Sequence, residues 1–337
     1  MPASFYPRMI NSPFGDPGLF VPFCFEKRAV VFDLGDISPL STRDILKISH
    51  CFISHTHMDH FIGLDHMLRL MLGRTKKLCL FGPEGFLENL EGKLAGYSWD
   101  LVENYDNHFA LQATEVHPTH LLTRNYICQN MFRSSGRTER QPFNGLLLDK
   151  PSFSISSVIL DHSRPCLGFV MKEAIHINIK KTEVKKLGLD VGPWLNEFKN
   201  AFFEEKPPDT LFEVVTDAEK NRKASFRLQD LTEKIAKITP GQKIAYITDV
   251  QYNDKNLEKI IPFITGSDHL FIEAAFSEKH KDIAYAKNHL TARQAGEIAG
   301  KAGVGRFTIF HFSPRYTENE KMLQMEAEAA YQNAFTA

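Results

Sequence analysis

Four histidines and two aspartates fall within residues 53–66, ISHTHMDHFIGLDH, in a chain that holds 14 His among 337 residues. Neutral imidazole nitrogens suit zinc, and carboxylate oxygens help offset the charge of a divalent cation. Within HTHMDH, His55 and His57 stand two residues apart. In an extended segment their side chains leave on one face and can converge on one ion. Asp59 and His60 follow at once. If the chain turns there into a helix, they can face a second ion about 3.5–4 Å away, the arrangement of two-metal hydrolases. A solvated polar loop is the plainer account of any one of these residues. It is a poor account of all four together behind an apolar run.

The elements around the cluster must position it. SHCFIS, 49–54, reads as a buried strand, so the histidines begin where a strand stops. RAVVFDLGD, from Arg28, reads as another strand that delivers Asp33 and Asp36 to its end. From His60 onward, Phe61, Leu64, Met67, Leu68 and Met71 recur at helical spacing. Further strands are predicted at 77–82, 109–117, 152–162, 166–171, 243–249, 269–276 and 306–312, and a helix at 291–303. Four ligands cannot close two sites. His162 after SVILD, Asp249 after KIAYIT and His311 after RFTIF each end an apolar strand and are the candidates to complete them.

Two stretches read differently. Residues 119–142 lack clear periodicity and set Arg124, Arg133, Arg137 and Arg140 against Glu139 alone, which predicts a mobile, basic loop able to meet nucleic acid. Residues 172–241 turn polar and lysine-rich, predicting helices and loops outside the sheet. There Lys180, Lys181, Lys185 and Lys186 are the nearest thing to a phosphate patch, the alternative being a solvated helix face.

SHTHMDHFIG resembles the signature of the metallo-β-lactamase fold, and the later motifs DHSRPCLGF, YITD and HFSPRY resemble those of ribonuclease Z. NHLTARQAGEIAGKAGV and KKLGLDVGPWLNEFK extend that resemblance, which runs from about Val30 to Tyr316. The resemblance implies an α/β fold, a four-layer αββα sandwich, as one domain over 1–337 with a helical and loop insertion at about 172–241. It implies a di-zinc endonuclease that cleaves the 3′ trailer of precursor tRNA, Mn2+ being an alternative metal. It further implies that His55, His57 and His162 hold one ion, that Asp59, His60 and His311 hold the other, and that Asp249 bridges. Asp59 would also be the general base. His289 would stabilise or protonate the departing oxygen, Glu273 could orient it, and Arg315 is placed to meet a phosphate, with Lys185 and Lys186 as further phosphate contacts. The family's enzymes are commonly dimers, so a homodimer is a further expectation.

Composition sets outer bounds. Lys plus Arg number 40 against 41 Asp plus Glu, so no global basic field advertises a polyanion partner and any such contact must be local. The five cysteines are odd in number and scattered, without a CxxC pair, so neither a disulfide framework nor a thiolate zinc site is suggested, which fits a reducing cytoplasm. The opening MPASFYPRMINSPFGDPGLF has no cationic start leading into an apolar run, so no export is expected and an exported β-lactamase is disfavoured. No apolar run approaches the roughly 20 residues of a membrane span. A hydrolase of a small phosphodiester, ester or lactone stays open as an alternative. So does a binding protein that has lost catalysis, against which the full ligand set speaks.

Overall fold

The computed structural model describes residues 5–24, 26–134, 136–204, 206–217 and 222–335. By its internal contacts the chain forms two compact units. One comprises Leu148–Ser154 and Lys172–Gln242, the other Phe5–Leu147, Ile155–Met171 and the residues from Lys243 onward.

The larger unit is built on two sheets. The first has the strands β1 (Arg8–Met9), β2 (Leu19–Pro22), β3 (Ala29–Phe32), β4 (Ile48–Phe52), β5 (Lys76–Pro83), β6 (Phe109–Val116), β7 (His120–Ile127) and β8 (Glu139–Pro142), in that spatial order. Its centre, β3 to β6, is parallel, and its flanks are antiparallel. The second sheet opens with β9 (Leu146–Lys150), β10 (Phe153–Asp161) and β11 (Pro165–Glu173). The chain then runs through β12 (Ile175–Ile179), β13 (Leu211–Asp217), β14 (Arg222–Arg227) and β15 (Ala236–Pro240) of the smaller unit. It closes the second sheet with β16 (Lys243–Ile247), β17 (His269–Glu273) and β18 (Phe307–Phe310), ordered β18-β17-β16-β11-β10-β9.

Period-two alternation sends each strand's side chains to two different cores. In β3 and β4, Val31 and Cys51 join an outer cluster with Ile45 of α1 (Thr42–Ile45), with Leu64, Met67 and Met71 of α3 (Gly63–Met71), and with Phe86 and Leu90 of α4 (Phe86–Ala95). A four-residue helix, α2 (Met58–Phe61), precedes α3. The neighbouring Phe32 and Phe52 point the other way and meet the second sheet, with ring centroids of Phe32 and Phe169 5.4 Å apart and of Phe32 and Tyr246 5.8 Å apart. On the far face of that sheet, Ala245, Ile247, Leu270 and Ile272 pack on three helices, Asp254–Ile264, Ala292–Lys301 and Glu320–Phe335. The result is helices, sheet, sheet, helices.

The smaller unit contains α5 (Lys181–Lys186), α6 (Trp194–Phe203) and α7 (Leu228–Ile235), around a core that includes Ile177, Val184, Phe198, Val214 and Leu231. In the larger unit the remaining helices are α8 (Asp254–Ile264), α9 (Lys281–Ala286), α10 (Ala292–Lys301) and α11 (Glu320–Phe335). No helix among the described residues is long and apolar enough to cross a membrane.

Two sequence expectations differ from the structure. Residues 119–142, read as a loop, hold the antiparallel pair β7 and β8, which starts at His120 opposite Pro142. Every residue of β8 is exposed, and an edge strand needs no apolar face, so its alternation is hidden. Residues 172–241, read as helices and loops, also contain the antiparallel pairs β12–β15 and β13–β14. In β15 only Ala236 is buried, too little for an apolar pattern to show.

Candidate metal centre

The chemistry-bearing residues sit at the carboxyl ends of strands in the larger unit. After β4 the chain bends at Ser54, and His57 is the N-cap residue of α2, with no side-chain capping bond. Asp59 falls in the first turn of α2, where a carboxylate complements the helix dipole. Asp33 follows β3, Asp249 follows β16 and His311 follows β18, and all three hold left-handed backbone conformations, with φ of 58°, 34° and 64°. Asn288, at φ 58°, is a fourth such residue. Non-glycine residues in this region cost on the order of 1–3 kcal/mol each and cluster at functional sites, where the sharp turn aims a side chain off the strand end.

Close backbone packing locks α2 in place. The Leu34 N–H donates to His60 O, and the Gly63 N–H donates to Leu34 O, both at 2.8 Å. A Cβ added at Gly63 would stand 2.2 Å from Gly35 O, so only glycine permits this approach.

The side chains converge on Asp249, a buried carboxylate. Its Oδ1 lies 3.1 Å from His311 Nδ1 and 3.5 Å from His60 Nε2. Its Oδ2 lies 3.6 Å from His55 Nε2 and 3.7 Å from His162 Nε2. Asp59 Oδ2 stands 3.2 Å from His311 Nε2 and 3.4 Å from His60 Nε2. Two donor groups result: His55, His57, His162 and Asp249 within one, and Asp59, His60 and His311 within the other, the donor atoms of each lying within 4.8 Å of one another. A third such group, Asp249, Glu273, His289 and His311, overlaps both.

The outer partners of the imidazoles settle their tautomers. His60 Nδ1–H donates to Asp33 Oδ2 at 2.9 Å, and His162 Nδ1–H donates to Asn288 O at 2.9 Å. The Ser54 hydroxyl gives its one proton to Asp33 Oδ2 at 2.9 Å, so at 3.1 Å it accepts from His55 Nδ1–H. Each ring thereby turns Nε2 toward Asp249 and, in its neutral form, presents a lone pair there. The Nε2 atoms of His55 and His60, buried, make no hydrogen bond among the described residues. Lone pairs facing a carboxylate across 3.5 Å repel unless positive charge lies between them. Nδ1 anchoring of this kind is the usual support of metal-ligating histidines. The donor set therefore fits a metal ion.

The local field favours positive charge as well. Burial acts to lower the His60 pKa, but Asp249 and Asp33 more than offset it and hold it well above the ordinary value. Burial acts to raise Asp249, and His311 and His60 outweigh it, leaving the carboxylate well below its usual range. His55 is pushed down to about 2 by burial and by its neighbour His60.

Beside the cluster, His289 Nδ1–H donates to Glu273 Oε2 at 3.0 Å. The other carboxylate oxygen of Glu273, which is fully buried, accepts from the Val250 N–H at 2.8 Å. The rings of His162, His289 and His311 form a row with successive centroid separations of 5.4 and 5.3 Å. Arg315 is exposed and has no hydrogen-bond or ion-pair partner among the described residues. Lys185 and Lys186 lie on α5 in the smaller unit, where Lys186 pairs with Glu183 at 2.9 Å.

Asp33 is more central than its sequence context suggested. Besides His60 and Ser54, its Oδ2 accepts from the hydroxyl of Tyr246 at 2.9 Å, and its Oδ1 accepts from the Ser54 N–H at 2.7 Å. A carboxylate closing an apolar strand was the visible signal. Tyr246, inside an apolar strand, gave none.

No protein-family model matches the chain. Among curated proteins, the ribonuclease Z of Deinococcus radiodurans is 28% identical over 299 residues, which cover 87% of this chain and 84% of that one. That of Bacteroides fragilis strain YCH46 is 29% identical over 295 residues, covering 86% and 80%. Among solved structures, the metallo-β-lactamase fold protein YhfI from Bacillus subtilis matches with a TM-score of 0.56 at 15% identity, covering 97% of this chain and 94% of its own. The short form of human tRNase Z matches with a TM-score of 0.50 at 17% identity, covering 93% of each. The chain thus has the metallo-β-lactamase fold and, over most of its length, is similar in sequence to proteins named ribonuclease Z.

Proposed function

We propose that this protein is a metal-dependent phosphodiesterase, an endonuclease of the ribonuclease Z kind that removes the 3′ trailer of precursor tRNA. The observation that carries the reading is the division of Asp249, one oxygen toward His60 and His311 and the other toward His55 and His162. A carboxylate divided in this way is suited to bridge two neighbouring divalent ions. His55, His57 and His162 would hold one ion, Asp59, His60 and His311 the other, and Asp249 both. The imidazole and carboxylate set suits two Zn2+, with Mn2+ as the alternative. Such a pair, when bound, lowers the pKa of a water and offsets the charge of the phosphodiester.

The remaining work falls to the chain's own groups. The Asp59 side chain is 42% exposed, and only its Oδ2 is engaged with His60 and His311, so Oδ1 is open to take the proton of the attacking water. His289 supplies a proton on the opposite side of the reaction. Burial acts against its charged form, but Glu273 more than compensates and raises its pKa to about 9. In its protonated form it can give that proton from Nε2 to the departing ribose oxygen as the phosphorus–oxygen bond breaks. Glu273 holds the ring through Nδ1 and keeps Nε2 aimed outward. Arg315 offers a planar fork for a phosphate oxygen. Similarity to proteins named ribonuclease Z supports RNA as the substrate.

The test is cleavage of a precursor tRNA carrying a 3′ trailer. Cleavage after the discriminator base, abolished by chelation and restored by Zn2+ or Mn2+, is the expected result. Turnover of bis(p-nitrophenyl) phosphate without RNA cleavage would move the assignment to a hydrolase of small phosphodiesters.

A further inference from the structure

We infer that Arg164 is a specificity-determining residue of this site, binding a phosphate that flanks the scissile one in an RNA strand. The inference rests on the RNA-cleaving reading above and deepens it.

Arg164 lies in the short turn between β10 and β11, two residues beyond His162. At no more than about 3.6 Å per residue, its Cα stands within roughly 7 Å of that of His162. The Leu167 N–H donates to Ser54 O at 2.8 Å, which ties the start of β11 to the loop carrying His55. Arg164 is therefore at the rim of the same cluster. It is exposed and makes no hydrogen bond, ion pair or ring contact among the described residues. The nearest carboxylate in sequence, Asp161, is already paired with Lys255 at 2.9 Å. Pro165 follows directly and disfavours a helical conformation at Arg164.

Arg315 provides the counterpart. It lies four residues beyond His311, where Arg164 lies two beyond His162, and it too is exposed and unpaired among the described residues. The neighbouring imidazoles of His162, His289 and His311 are thus flanked in the chain by two uncommitted arginines, one after His162 and one after His311. A single small phosphodiester has no flanking phosphate for such a residue to meet, whereas a polynucleotide carries one on each side of the linkage being cleaved. Arginine is the side chain best matched to such oxygens, in bidentate geometry. The balance of 40 basic against 41 acidic residues adds a reason, since without a global basic field the strand must be gripped by local cations.

The experiment compares wild type, Arg164→Gln and Arg164→Lys, all metal-loaded, on a trailer-bearing RNA between about 50 and 200 mM salt. A second set of RNAs carries a neutral methylphosphonate at either linkage flanking the scissile one. Loss of one charge-assisted contact corresponds to about a tenfold rise in KM. Arg164→Gln is expected to show that rise with kcat and bound metal retained, and a salt slope shallower by about 0.7–0.9. Arg164→Lys should recover part of the affinity. Methylphosphonate at one flanking linkage should cost the wild type a similar factor and cost Arg164→Gln nothing further. Wild-type KM and salt slope in Arg164→Gln would overturn the inference while leaving RNA cleavage intact. Loss of bound metal together with activity would make Arg164 structural. Failure of the wild type to cleave RNA would remove the underlying reading itself.

Discussion

Asp33 Oδ2 accepts the Nδ1–H of His60 at 2.9 Å, with both side chains fully buried. The same oxygen takes the hydroxyls of Ser54 and Tyr246, so one carboxylate outside the ligand set fixes two imidazoles, one directly and His55 through Ser54. Replacing Asp33 by Asn keeps its volume but removes the charge and one acceptor. The expected outcome is a 10- to 100-fold loss of metal affinity, the usual cost of removing such a support. Metal titration followed by activity measurement checks it. Excess metal should restore much of the rate, and a variant that binds metal as tightly as wild type would show that Asp33 does not orient the donors.

Asp59 separates ligation from proton transfer. In Asp59→Asn an oxygen still faces His60 and His311, but the group can no longer accept a proton at neutral pH. A fall of about 10²–10⁴ in kcat is expected, the range for a lost general base. Elemental analysis should find metal retained at the His55, His57 and His162 group. An unchanged rate in the metal-loaded variant would assign the base elsewhere.

The cluster was the most legible part of this molecule, because His55, His57, Asp59 and His60 fit into six consecutive residues and no core or turn calls for that pattern. His162, Asp249 and His311 were legible for a different reason: each interrupts the end of an apolar strand, where a polar side chain must have a partner. What joins them was not. Tyr246 and Asp33 stand 213 residues apart, and a tyrosine within KIAYI reads as core until the second sheet brings its hydroxyl to the carboxylate. The strands β8 and β15 were hidden because each buries one residue or none, so the physics that writes alternation into a sequence was not acting on them.

His289 distinguishes leaving groups. A ribose alkoxide needs a proton as it departs, whereas p-nitrophenolate does not. His289→Ala should therefore lose about 10²–10⁴ in kcat on RNA while losing far less on bis(p-nitrophenyl) phosphate. Glu273→Gln, which weakens the hold on His289 Nδ1, should fall between wild type and His289→Ala on RNA. Equal losses on both substrates would mean that His289 serves the metal site or the fold rather than the departing oxygen.

Gly63, the first residue of α3, tests whether the junction of α2 and α3 must pack so closely on the turn after β3. A methyl group there would stand 2.2 Å from Gly35 O and 3.0 Å from Leu34 O, both backbone atoms that cannot swing aside. Gly63→Ala is expected to destabilise the fold by about 1–3 kcal/mol through overpacking, despite alanine's better helix propensity. Because Asp59 and His60 ride on α2, metal binding should weaken as well. Thermal melts with and without metal check both effects, and a stabilised variant would show that the backbone gives way.

His269 sets a pH dependence away from the metal cluster. Its Nε2 lies 2.8 Å from the Thr308 hydroxyl, while its buried Nδ1 has no partner among the described residues. Protonation would place a donor there with nothing to accept it. Burial, aided by the nearby Arg306, accordingly pushes its pKa down to about 4. The unfolded chain, near the ordinary value of about 6.5, binds this proton more readily than the folded one. Stability from this group is therefore complete above about pH 6.5 and is lost as pH falls toward 4. His269→Gln keeps a donor for Thr308 but cannot titrate, so its melting temperature should decline less steeply than that of wild type between pH 6.5 and 4. Melts of both proteins in parallel buffers decide the matter, and parallel curves would mean that His269 takes up its proton in the folded state without cost.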